Sequence, residues 1–353
     1  MDSRKLRIGL VGYGLAGKVF HSPLYAAAGV ELVAVASSDA AKVHVDHPGV
    51  RVHADAATLL ADSDVELVVL ATPSFTHAPL MLEALAAGKH VLSDKPFTAT
   101  VAEADAVIAA ADSAGRVASC YQNRRYDADF LTLRNLIDSG RLGEIVHHES
   151  HYDRFNPAPR DRWQEQARPG VGLHYDLGAH LIDQALVLFG LPDWLQADVQ
   201  KQREGSAIID NFHVRMGKGR CRIELSAGML VADNSLRYRV HGTAASWSKH
   251  HVDPQEDQLR HQGIGPEDAS YGREPEAHWG TLTEAGAGQS KTSRTEALRG
   301  DWPRFYRELS IAIRQGTPPP VTASEARNVI AVIEAMLESS RTGSRVSVAD
   351  RLS

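Results

Sequence analysis

Two side chains of this sequence have the types and spacing that acid–base chemistry requires. Asp176 and His180 are four positions apart in an apolar stretch, so in a helix they share one face. A carboxylate placed there can orient an imidazole and stabilise its protonated form, and such an imidazole can take the proton from an alcohol. A third candidate is Lys95 in the run Asp94-Lys95-Pro96. Its positive charge would stabilise a developing alkoxide.

Each of these residues also has a purely structural alternative. An Asp–His pair on an apolar helix is commonly a satisfied buried contact, and a loop lysine is commonly solvent-exposed. The chemical interpretation gains weight because the two features occur together with a glycine-rich loop near the N-terminus. The helical stretch also carries Gly172 and Gly178, which allow close approach of a backbone or ligand, and Asp183, seven positions after Asp176.

The glycine-rich loop follows Leu6–Val11, an apolar run typical of a buried parallel strand, and precedes a helical stretch that Gly29 ends. In this context, the glycines permit a tight turn and close approach of the backbone to a pyrophosphate, and the helix N-terminus supplies N–H donors. The alternative is a glycine-rich turn that binds nothing. The predicted dinucleotide contacts are Gly12, Tyr13, Gly14, Leu15, Ala16 and Gly17.

The end of the second predicted strand, Glu31–Ala36, distinguishes the two forms of the dinucleotide. An acidic residue at this point would bind the ribose 2′-hydroxyl of NAD. The sequence has Ser37 and Ser38 instead, which can donate to a 2′-phosphate, and Lys42 could reach the same group. We therefore expect NADP. NAD is the alternative if the carboxylate of Asp39, slightly further on, turns back to the ribose.

Two more segments follow predicted strands at the carboxyl edge of the same sheet, where doubly wound folds bind ligands. After Leu67–Ala71, the predicted cofactor contacts are Thr72, Pro73, Ser74 and His77. For His77, a packing or capping role at the start of the next helix is at least equally expected. After Lys89–Ser93, the predicted contacts are Asp94, Lys95 and Pro96.

The elements that position these residues divide the chain in two. Strands and helices alternate as far as Cys120, which predicts an α/β Rossmann domain with a doubly wound parallel sheet over residues 1–122. From Ala197 to Val252, strand-like runs follow one another without helices, which favours an antiparallel sheet. We expect residues 123–353 to form an α+β domain for substrate binding and oligomerisation, with a large, mainly antiparallel open sheet.

Three helices and one loop region are predicted in this second part. The helices cover Asp127–Ser139, Tyr175–Phe189 and Ala326–Leu337, and Thr322 and Glu325 have capping-box spacing before the last of them. Residues Asp253–Arg299 are polar and glycine-rich, which predicts long loops near a site or a sheet edge.

In combination, these motifs resemble the glucose–fructose oxidoreductase, inositol dehydrogenase and rhizopine-catabolism family (Gfo/Idh/MocA) over essentially the whole chain. The resemblance lies in the loop Gly12–Gly17, the segments Ala71–His77 and Ala87–Pro96, and the spaced residues Gly172, Asp176, Gly178, His180 and Asp183. Asp94 departs from the Glu of many relatives, a change that keeps the acidic group. Further segments are similar to bacterial NADP-dependent scyllo-inositol dehydrogenases: Ser37-Ser38, Gln122–Tyr126, His151–Phe155, Arg160–Trp163 and Tyr238–Gly242.

The resemblance implies roles for individual residues. Lys95 would bridge the nicotinamide and the substrate, His180 would be the acid/base, and Asp176 would tune and hold it. These three would also contact the substrate. The further substrate-pocket candidates are Asn123, Tyr152, Asp161 and Arg162, while Asn123 and Trp163 are candidates beside the cofactor, Trp163 also lining the pocket.

The resemblance also implies a reaction, which is hydride transfer between NADP(H) and a secondary alcohol of a cyclic polyol or sugar. Scyllo-inositol and 2-keto-myo-inositol are the expected pair. One alternative is an enzyme of the same family acting on an aldose, an anhydro-sugar or a glycosidic sugar. A non-catalytic nucleotide-binding regulator is another, which the presence of Lys95, Asp176 and His180 disfavours.

Composition excludes several other classes. The 353 residues carry a formal net charge of −6 with both signs interspersed, which does not suggest binding to nucleic acid. The N-terminus is neither a signal peptide nor a membrane span, so we expect a cytoplasmic protein that does not bind membranes. Cys120 and Cys221 are far apart and have no CxxC spacing, so no disulfide and no metal site is predicted. The family resemblance implies a homodimer or homotetramer.

Overall fold

The computed structural model describes residues 4–286 and 288–348, which form two compact units. The first unit contains the chain up to Asn123, together with Gln255–Tyr271 and Asp301–Arg327. The second contains Arg124–Pro254, Gly272–Gly300 and the chain from Asn328 onward. The prediction of a single boundary after residue 122 did not include the two later segments that group with the first unit.

Over its described residues, the first unit has one sheet of six parallel strands in the order β3-β2-β1-β4-β5-β6. This is the predicted doubly wound Rossmann arrangement, and its strand order reverses between β1 and β4. The strands are β1 (Arg7–Val11), β2 (Glu31–Ala36), β3 (Arg51–His53), β4 (Leu67–Leu70), β5 (His90–Ser93) and β6 (Ala118–Cys120).

Helices connect these strands. The inner strands are apolar on both faces, and Ile8, Leu10 and Val69 are fully buried, as expected for a parallel sheet that helices cover on both sides. The first connection is irregular: a π-helical turn over Ala16–His21 and a 3₁₀ turn over Ser22–Leu24 precede the first α-helix. The α-helices are α1 (Tyr25–Ala28), α2 (Ala40–Asp46), α3 (Ala56–Leu60), α4 (His77–Ala86) and α5 (Val101–Ala114).

Within its described residues, the second unit has an eight-stranded sheet in the order β14-β13-β12-β11-β7-β10-β9-β8. Among the described strands of this sheet, only the pairing of β7 with β10 is parallel, so the prediction of a large, mainly antiparallel sheet is confirmed. The strands are β7 (Ile145–His151), β8 (Trp194–Gln200), β9 (Asn211–Lys218), β10 (Cys221–Gly228), β11 (Leu236–Gly242), β12 (Ala245–His250), β13 (Gly280–Glu284) and β14 (Lys291–Thr295).

Strands β13 and β14 lie where the sequence predicts loops, and that prediction is wrong for these ten residues. Their Thr-, Ser- and Lys-rich sequences offer almost no apolar side chain to pack. Only Leu282 of β13 enters the core, where it joins Leu133, Tyr238, Val240 and Trp247. Because β14 is the edge strand, it can be polar on both faces.

The segment Arg124–Pro254 of the second unit contains three α-helices. They are α6 (Ala128–Asp138), α7 (Leu173–Asp176) and α8 (Gly178–Phe189). The predicted single helix over Tyr175–Phe189 is thus divided at Leu177, although that residue keeps right-handed helical dihedrals of −99° and −32°. Backbone hydrogen bonds continue through the division, from the Leu177 amide to Leu173 and from the Leu181 amide to Leu177.

The later segments add α9 (Gln255–Asp257), α10 (Pro303–Gln315) and α11 (Ala323–Thr342). Helix α10 is not predicted from the sequence, and α11 is longer than predicted at both ends. The predicted capping box before α11 is confirmed, because the Thr322 amide donates to Glu325 Oε2 at 2.9 Å and the Glu325 amide donates to Thr322 Oγ1 at 3.1 Å. Among the helices described, none has the length and apolar character needed to cross a membrane.

Candidate functional site

The glycine-rich loop is fixed where three strands of the first unit end. The Gly12 amide donates to the carbonyl of Ala36 at the end of β2, at 3.0 Å. Gly12 has a φ of +95°, and a Cβ at this position would lie 2.6 Å from the carbonyl oxygen of Ala71, just after β4. A larger residue would therefore separate the ends of β1 and β4, and the loop depends on glycine for its own packing.

The other two glycines of the loop have contrasting surroundings. A Cβ at Gly17 would collide with the carbonyl of Gly12, so this glycine allows the helical stretch to pack closely on the turn. A Cβ at Gly14 would meet no atom within 4 Å. The described chain therefore does not require glycine at position 14 for packing. The open space beside this backbone fits a dinucleotide pyrophosphate, which needs close approach at the second glycine of such loops.

Tyr13 points its side chain into the protein. Its ring is 4% exposed, and its hydroxyl donates to Asp46 Oδ2 of α2 at 2.9 Å. Burial raises the pKa of Tyr13 to about 12, so it stays a neutral donor. Lys18 Nζ lies 2.8 Å from the same carboxylate oxygen. The side chain of Tyr13 thus ties the loop to α2, which leaves its backbone for the predicted cofactor contact.

The serines at the end of β2 are accessible, whereas the carboxylate of Asp39 is engaged. Asp39 Oδ1 accepts a hydrogen bond from the Lys42 amide at 3.0 Å and so caps the N-terminus of α2. Ser37 Oγ accepts from the Asp39 amide at 3.1 Å. Ser38 and the side chain of Lys42 are exposed beside this turn. A carboxylate used as a cap is less available to a ribose, while the exposed hydroxyl and ammonium suit a phosphate.

His77 connects the two loops that follow β4 and β5. Its Nδ1 lies 2.7 Å from the carbonyl oxygen of Pro96 and its Nε2 lies 3.1 Å from that of Thr72. Burial lowers the pKa of His77 and outweighs these carbonyls, so the ring is neutral and donates to one of them. The side chain is 1% exposed, and through these contacts it supports both loops.

The remaining predicted residues of these loops lie beside it. Thr72 Oγ1 bonds to Thr76 Oγ1 at 2.8 Å, and Ser74 is 3% exposed. Lys95 is half-buried, and its peptide bond to Pro96 is cis. Asp94 Oδ1 accepts from the Lys95 amide at 2.7 Å, so the acidic residue of the motif holds the backbone of the lysine that follows it.

In the second unit, Asp176 ends α7 and His180 occupies the first turn of α8. Asp176 is exposed and His180 is 4% exposed. The Leu173 amide bonds to the carbonyl of Ile209 at 2.8 Å, which fixes the start of α7. A Cβ at Gly178 would lie 3.3 Å from Phe212 Cζ, so this glycine lets α8 pack closely on β9.

Buried polar contacts hold the helix that carries His180. Arg125 pairs with Asp183 of α8 through two hydrogen bonds, Nε to Oδ2 at 2.8 Å and Nη2 to Oδ1 at 2.7 Å. One residue further on, Gln184 Oε1 accepts from Arg237 Nη2 at 2.7 Å and from the Tyr238 hydroxyl at 2.8 Å. The planar, two-bond pairing of Arg125 with Asp183 fixes geometry as well as contributing energy. These side chains from other elements therefore fix the orientation of α8 and, with it, the position of His180.

The predicted pocket residues around residue 160 are held by a second arginine. Arg203 Nη2 donates to Glu165 Oε2 at 2.7 Å and its Nε donates to Asp210 Oδ2 at 2.9 Å. All three of these side chains are almost completely buried. Glu165 also accepts from Arg162 at 3.3 Å. This cluster anchors the turn that presents Asp161 and Arg162, both exposed, and Trp163, which is half-buried.

Tyr152 lies beside the contacts that fix α8. Its ring is 5% exposed and has the guanidinium carbons of Arg124 and Arg237 at 4.7 and 5.1 Å from the ring centroid. The supporting roles of Arg125, Gln184, Arg203 and Arg237 are not predicted from the sequence. Arg125 belongs to a motif segment quoted for the family resemblance, but its partner is 58 positions away. Motif matching alone does not show such a pairing.

The predicted site residues are shared between the units. Those in the first unit are Gly12, Tyr13, Gly14, Leu15, Ala16, Gly17, Ser37, Ser38, Lys42, Thr72, Pro73, Ser74, His77, Asp94, Lys95, Pro96 and Asn123. Those in the second are Tyr152, Asp161, Arg162, Trp163, Asp176 and His180. Over residues 4–286 and 288–348, no group of three or more His, Cys, Asp and Glu side chains is arranged to hold a metal ion.

Two family models match the chain. Residues 6–122 match the oxidoreductase family, NAD-binding Rossmann fold, and residues 134–348 match the oxidoreductase family, C-terminal alpha/beta domain, both of the Gfo/Idh/MocA group. The uncharacterized oxidoreductase YdgJ of Escherichia coli is 42% identical, covering 96% of this chain and 97% of the relative.

A second relative has an assigned reaction. The scyllo-inositol 2-dehydrogenase (NADP(+)) IolW of Bacillus subtilis is 39% identical, covering 95% of this chain and 94% of the relative. The solved structure of the oxidoreductase yvaA from Bacillus subtilis superposes with a TM-score of 0.95 at 37% identity, over 98% of this chain and 99% of that one. The fold is therefore shared over the whole length.

Proposed function

The chain belongs to the Gfo/Idh/MocA family of NAD(P)-dependent oxidoreductases, and we propose that it transfers hydride between NADP(H) and a secondary alcohol of a cyclic polyol. Scyllo-inositol and 2-keto-myo-inositol are the proposed substrate pair. The observation that carries this assignment is the similarity to the Bacillus subtilis scyllo-inositol 2-dehydrogenase, which extends along nearly the entire chain.

NADP is the proposed cofactor because of the turn after β2. Ser37, Ser38 and Lys42 would bind the 2′-phosphate there, while the carboxylate of Asp39 is already occupied as the cap of α2. Gly12, Gly14 and Gly17 would hold the pyrophosphate against the start of the helical stretch. When bound, the nicotinamide supplies or accepts the hydride.

The proposed chemistry of the chain itself is proton transfer and charge stabilisation. His180 would accept the hydroxyl proton, and Asp176 would orient the imidazole and stabilise its protonated form. Lys95 would stabilise the negative charge that develops on the substrate oxygen. Replacing Lys95 by Met should lower kcat about 10²- to 10³-fold and leave the dissociation constant for NADPH within a few-fold of wild type.

Cofactor choice has a direct test in Ser38→Glu. A carboxylate at this exposed position would repel a 2′-phosphate and could bind a ribose hydroxyl, so the ratio of kcat/KM for NADP to that for NAD should fall at least about tenfold. Ser38→Ala is the matched control, because it removes the hydroxyl without adding charge. An unchanged ratio in Ser38→Glu would contradict the proposed phosphate site.

The substrate is tested by measuring turnover of scyllo-inositol, myo-inositol, aldoses and anhydro-sugars with each cofactor. The highest kcat/KM for scyllo-inositol with NADP would support the proposal. Turnover of aldoses or anhydro-sugars alone would move the assignment to a sugar dehydrogenase of the same family. If no compound is turned over and a Lys95→Met, His180→Ala double variant retains full biological activity, a nucleotide-binding regulator is favoured.

The proposed assembly is a homodimer or homotetramer in the cytoplasm. One face of the sheet in the second unit carries ion-pairing polar side chains on neighbouring strands, among them Glu149, His151 and Arg239. Such a face suits a second copy of the chain, since acidic and basic groups are mixed along it. Light scattering coupled to size exclusion measures the mass directly, and a monomer at micromolar concentration would contradict the proposal.

A further inference from the structure

A fully buried histidine lies behind the lysine-bearing turn of the first unit. His21 ends the helical turn that starts from the glycine-rich loop, and its side chain is 0% exposed. Its Nε2 lies 3.9 Å from Asp94 Oδ2 and has no hydrogen-bond partner among the described residues. That distance is about 1 Å longer than a direct hydrogen bond, so the contact is electrostatic.

The opposite edge of the same ring is tied to a tyrosine. His21 Nδ1 lies 2.5 Å from the hydroxyl of Tyr306, and the Tyr121 ring packs against the imidazole with centroids 4.4 Å apart. Burial, followed by the neighbouring Tyr25 and Tyr121, raises the pKa of Tyr306 well above its ordinary value, so Tyr306 stays a phenol with a proton to donate.

These contacts favour a proton on Nε2 of His21, the nitrogen that faces Asp94. If the Tyr306 hydroxyl donates to Nδ1, a neutral ring carries its proton on Nε2, and that N–H faces the Asp94 carboxylate. The opposite tautomer would aim a nitrogen lone pair at the carboxylate in a buried environment, which is unfavourable. Although burial raises the pKa of Asp94, the imidazole of His21 and the charge of Lys95 bring it below its ordinary value, so the carboxylate is ionised.

Asp94 contacts both His21 and the backbone of the lysine. One of its oxygens faces His21, and the other accepts the hydrogen bond from the Lys95 amide at 2.7 Å. We propose that His21 is a positioning residue: held at Nδ1 by Tyr306, it orients the Asp94 carboxylate and thereby sets the backbone that carries Lys95. The inference rests on the proposed role of Lys95 in the reaction.

The same residue would connect the two functional loops of the unit. His21 is four positions after Gly17, in the same helical turn, and Tyr121 anchors that turn by donating to the carbonyl of Phe20 at 3.1 Å. A displacement of the glycine-rich loop would then also displace the lysine-bearing turn, because the side chain of His21 contacts Asp94 in that turn. An apolar ring of the same size could fill the space, but it would not make the polar contacts with Asp94 and Tyr306. The histidine therefore has a role beyond packing.

Two substitutions of His21 separate positioning from packing. In His21→Gln, an amide group reaches about as far as Nε2 and can still face Asp94. In His21→Asn, the amide reaches only about as far as Nδ1, so it keeps the contact with Tyr306 and loses the one with Asp94. We expect kcat for the polyol to fall about tenfold or more in His21→Asn and to stay within about threefold in His21→Gln, with KM for NADPH little changed in both.

Hydrogen exchange of the full chain, followed by mass spectrometry, gives a readout that needs no substrate. His21→Asn should raise exchange of the amides of Asp94, Lys95 and Phe97 about tenfold, while His21→Gln leaves it near wild type. Tyr306→Phe, which keeps both rings and removes the polar contact at Nδ1 of His21, should give an intermediate increase and serves if His21→Asn does not fold.

Equal exchange at these amides in the Asn, Gln and wild-type proteins would overturn the proposal and leave His21 as a packing residue. If the exchange pattern is as expected but the wild-type protein turns over no polyol, the positioning role stands and the proposed function fails. If the polyol is turned over and exchange is unaffected, the proposed function stands and the role of His21 fails.

Discussion

The loops of the first unit are held in place by a different kind of contact from the polar segments of the second unit, which include α8 with His180, the turn at residues 161–163 and strand β7. In the first, main-chain groups dominate: the Gly12 amide bonds to Ala36, and Asp94 accepts from the amide of the lysine after it. In the second, pairs of charged side chains dominate, as between Arg125 and Asp183. One region depends on backbone fit and the other on buried charge.

This difference determines how each region responds to substitution. A backbone fit fails when a side chain is added where none can be accommodated. A buried ion pair fails when one partner is removed, because the other charge is left in a medium that solvates it poorly. The first region should therefore be sensitive to enlargement, and the second to truncation.

The largest expected effect is the loss of Arg203 in the second unit. Arg203→Met keeps most of the side-chain volume but leaves the buried carboxylates of Glu165 and Asp210 without their cation. We expect the free energy of unfolding to fall by about 3–5 kcal/mol, measured by urea denaturation.

Arg220→Met is the matched control for this substitution. Its ion pair with Glu144 is similar in length, 3.1 Å, but the two side chains are 74% and 55% exposed, so less than about 1 kcal/mol should be lost. A loss below about 1 kcal/mol in Arg203→Met as well would show that buried charge does not hold this region.

A smaller effect is expected when the glycines of the first unit are enlarged. Gly17→Ala should lower the free energy of unfolding by about 1–3 kcal/mol, because the added methyl collides with the carbonyl of Gly12. Gly14→Ala should leave stability nearly unchanged, because its methyl enters open space, but it should weaken NADPH binding. Thermal unfolding and a fluorescence titration with NADPH measure the two effects. Equal stability losses at both positions would contradict the distinction drawn for this loop.

The same contrast explains which parts of the fold and of the candidate site could be predicted from the sequence. The first unit was predictable because each loop of the candidate site directly follows its strand, so Gly12 after β1 and Lys95 after β5 are placed by local sequence and sheet topology. The supports of the second unit were not, because Arg203 and Glu165 are 38 positions apart and neither has a motif that names its partner. The division of the helix at Leu177 and the polar strand β14 also escaped prediction, since tertiary packing decides both.

The smallest expected effects concern one histidine in each region, and they have opposite signs. Burial lowers the pKa of His77 below its ordinary 6.5, despite its two carbonyl neighbours. Burial also opposes protonation of His151, but hydrogen bonds to Asp153 and Glu149, at 3.1 and 2.8 Å, outweigh it and raise its pKa above 6.5. Burial therefore favours a neutral ring at His77, whereas the two carboxylates favour a cationic ring at His151.

Stability should follow these shifts in opposite directions. As the pH falls below 6.5, the unfolded chain protonates at position 77 before the folded one, so the advantage of wild type over His77→Gln should shrink. The advantage over His151→Gln should be complete below pH 6.5 and disappear as the pH rises through the raised pKa of His151. Each slope is at most about 1.4 kcal/mol per pH unit for one proton, measurable by urea denaturation between pH 5 and pH 8.5. If the stability difference between wild type and variant changed with pH in the same direction for both variants, the two regions would not differ in whether they favour a neutral or a cationic histidine.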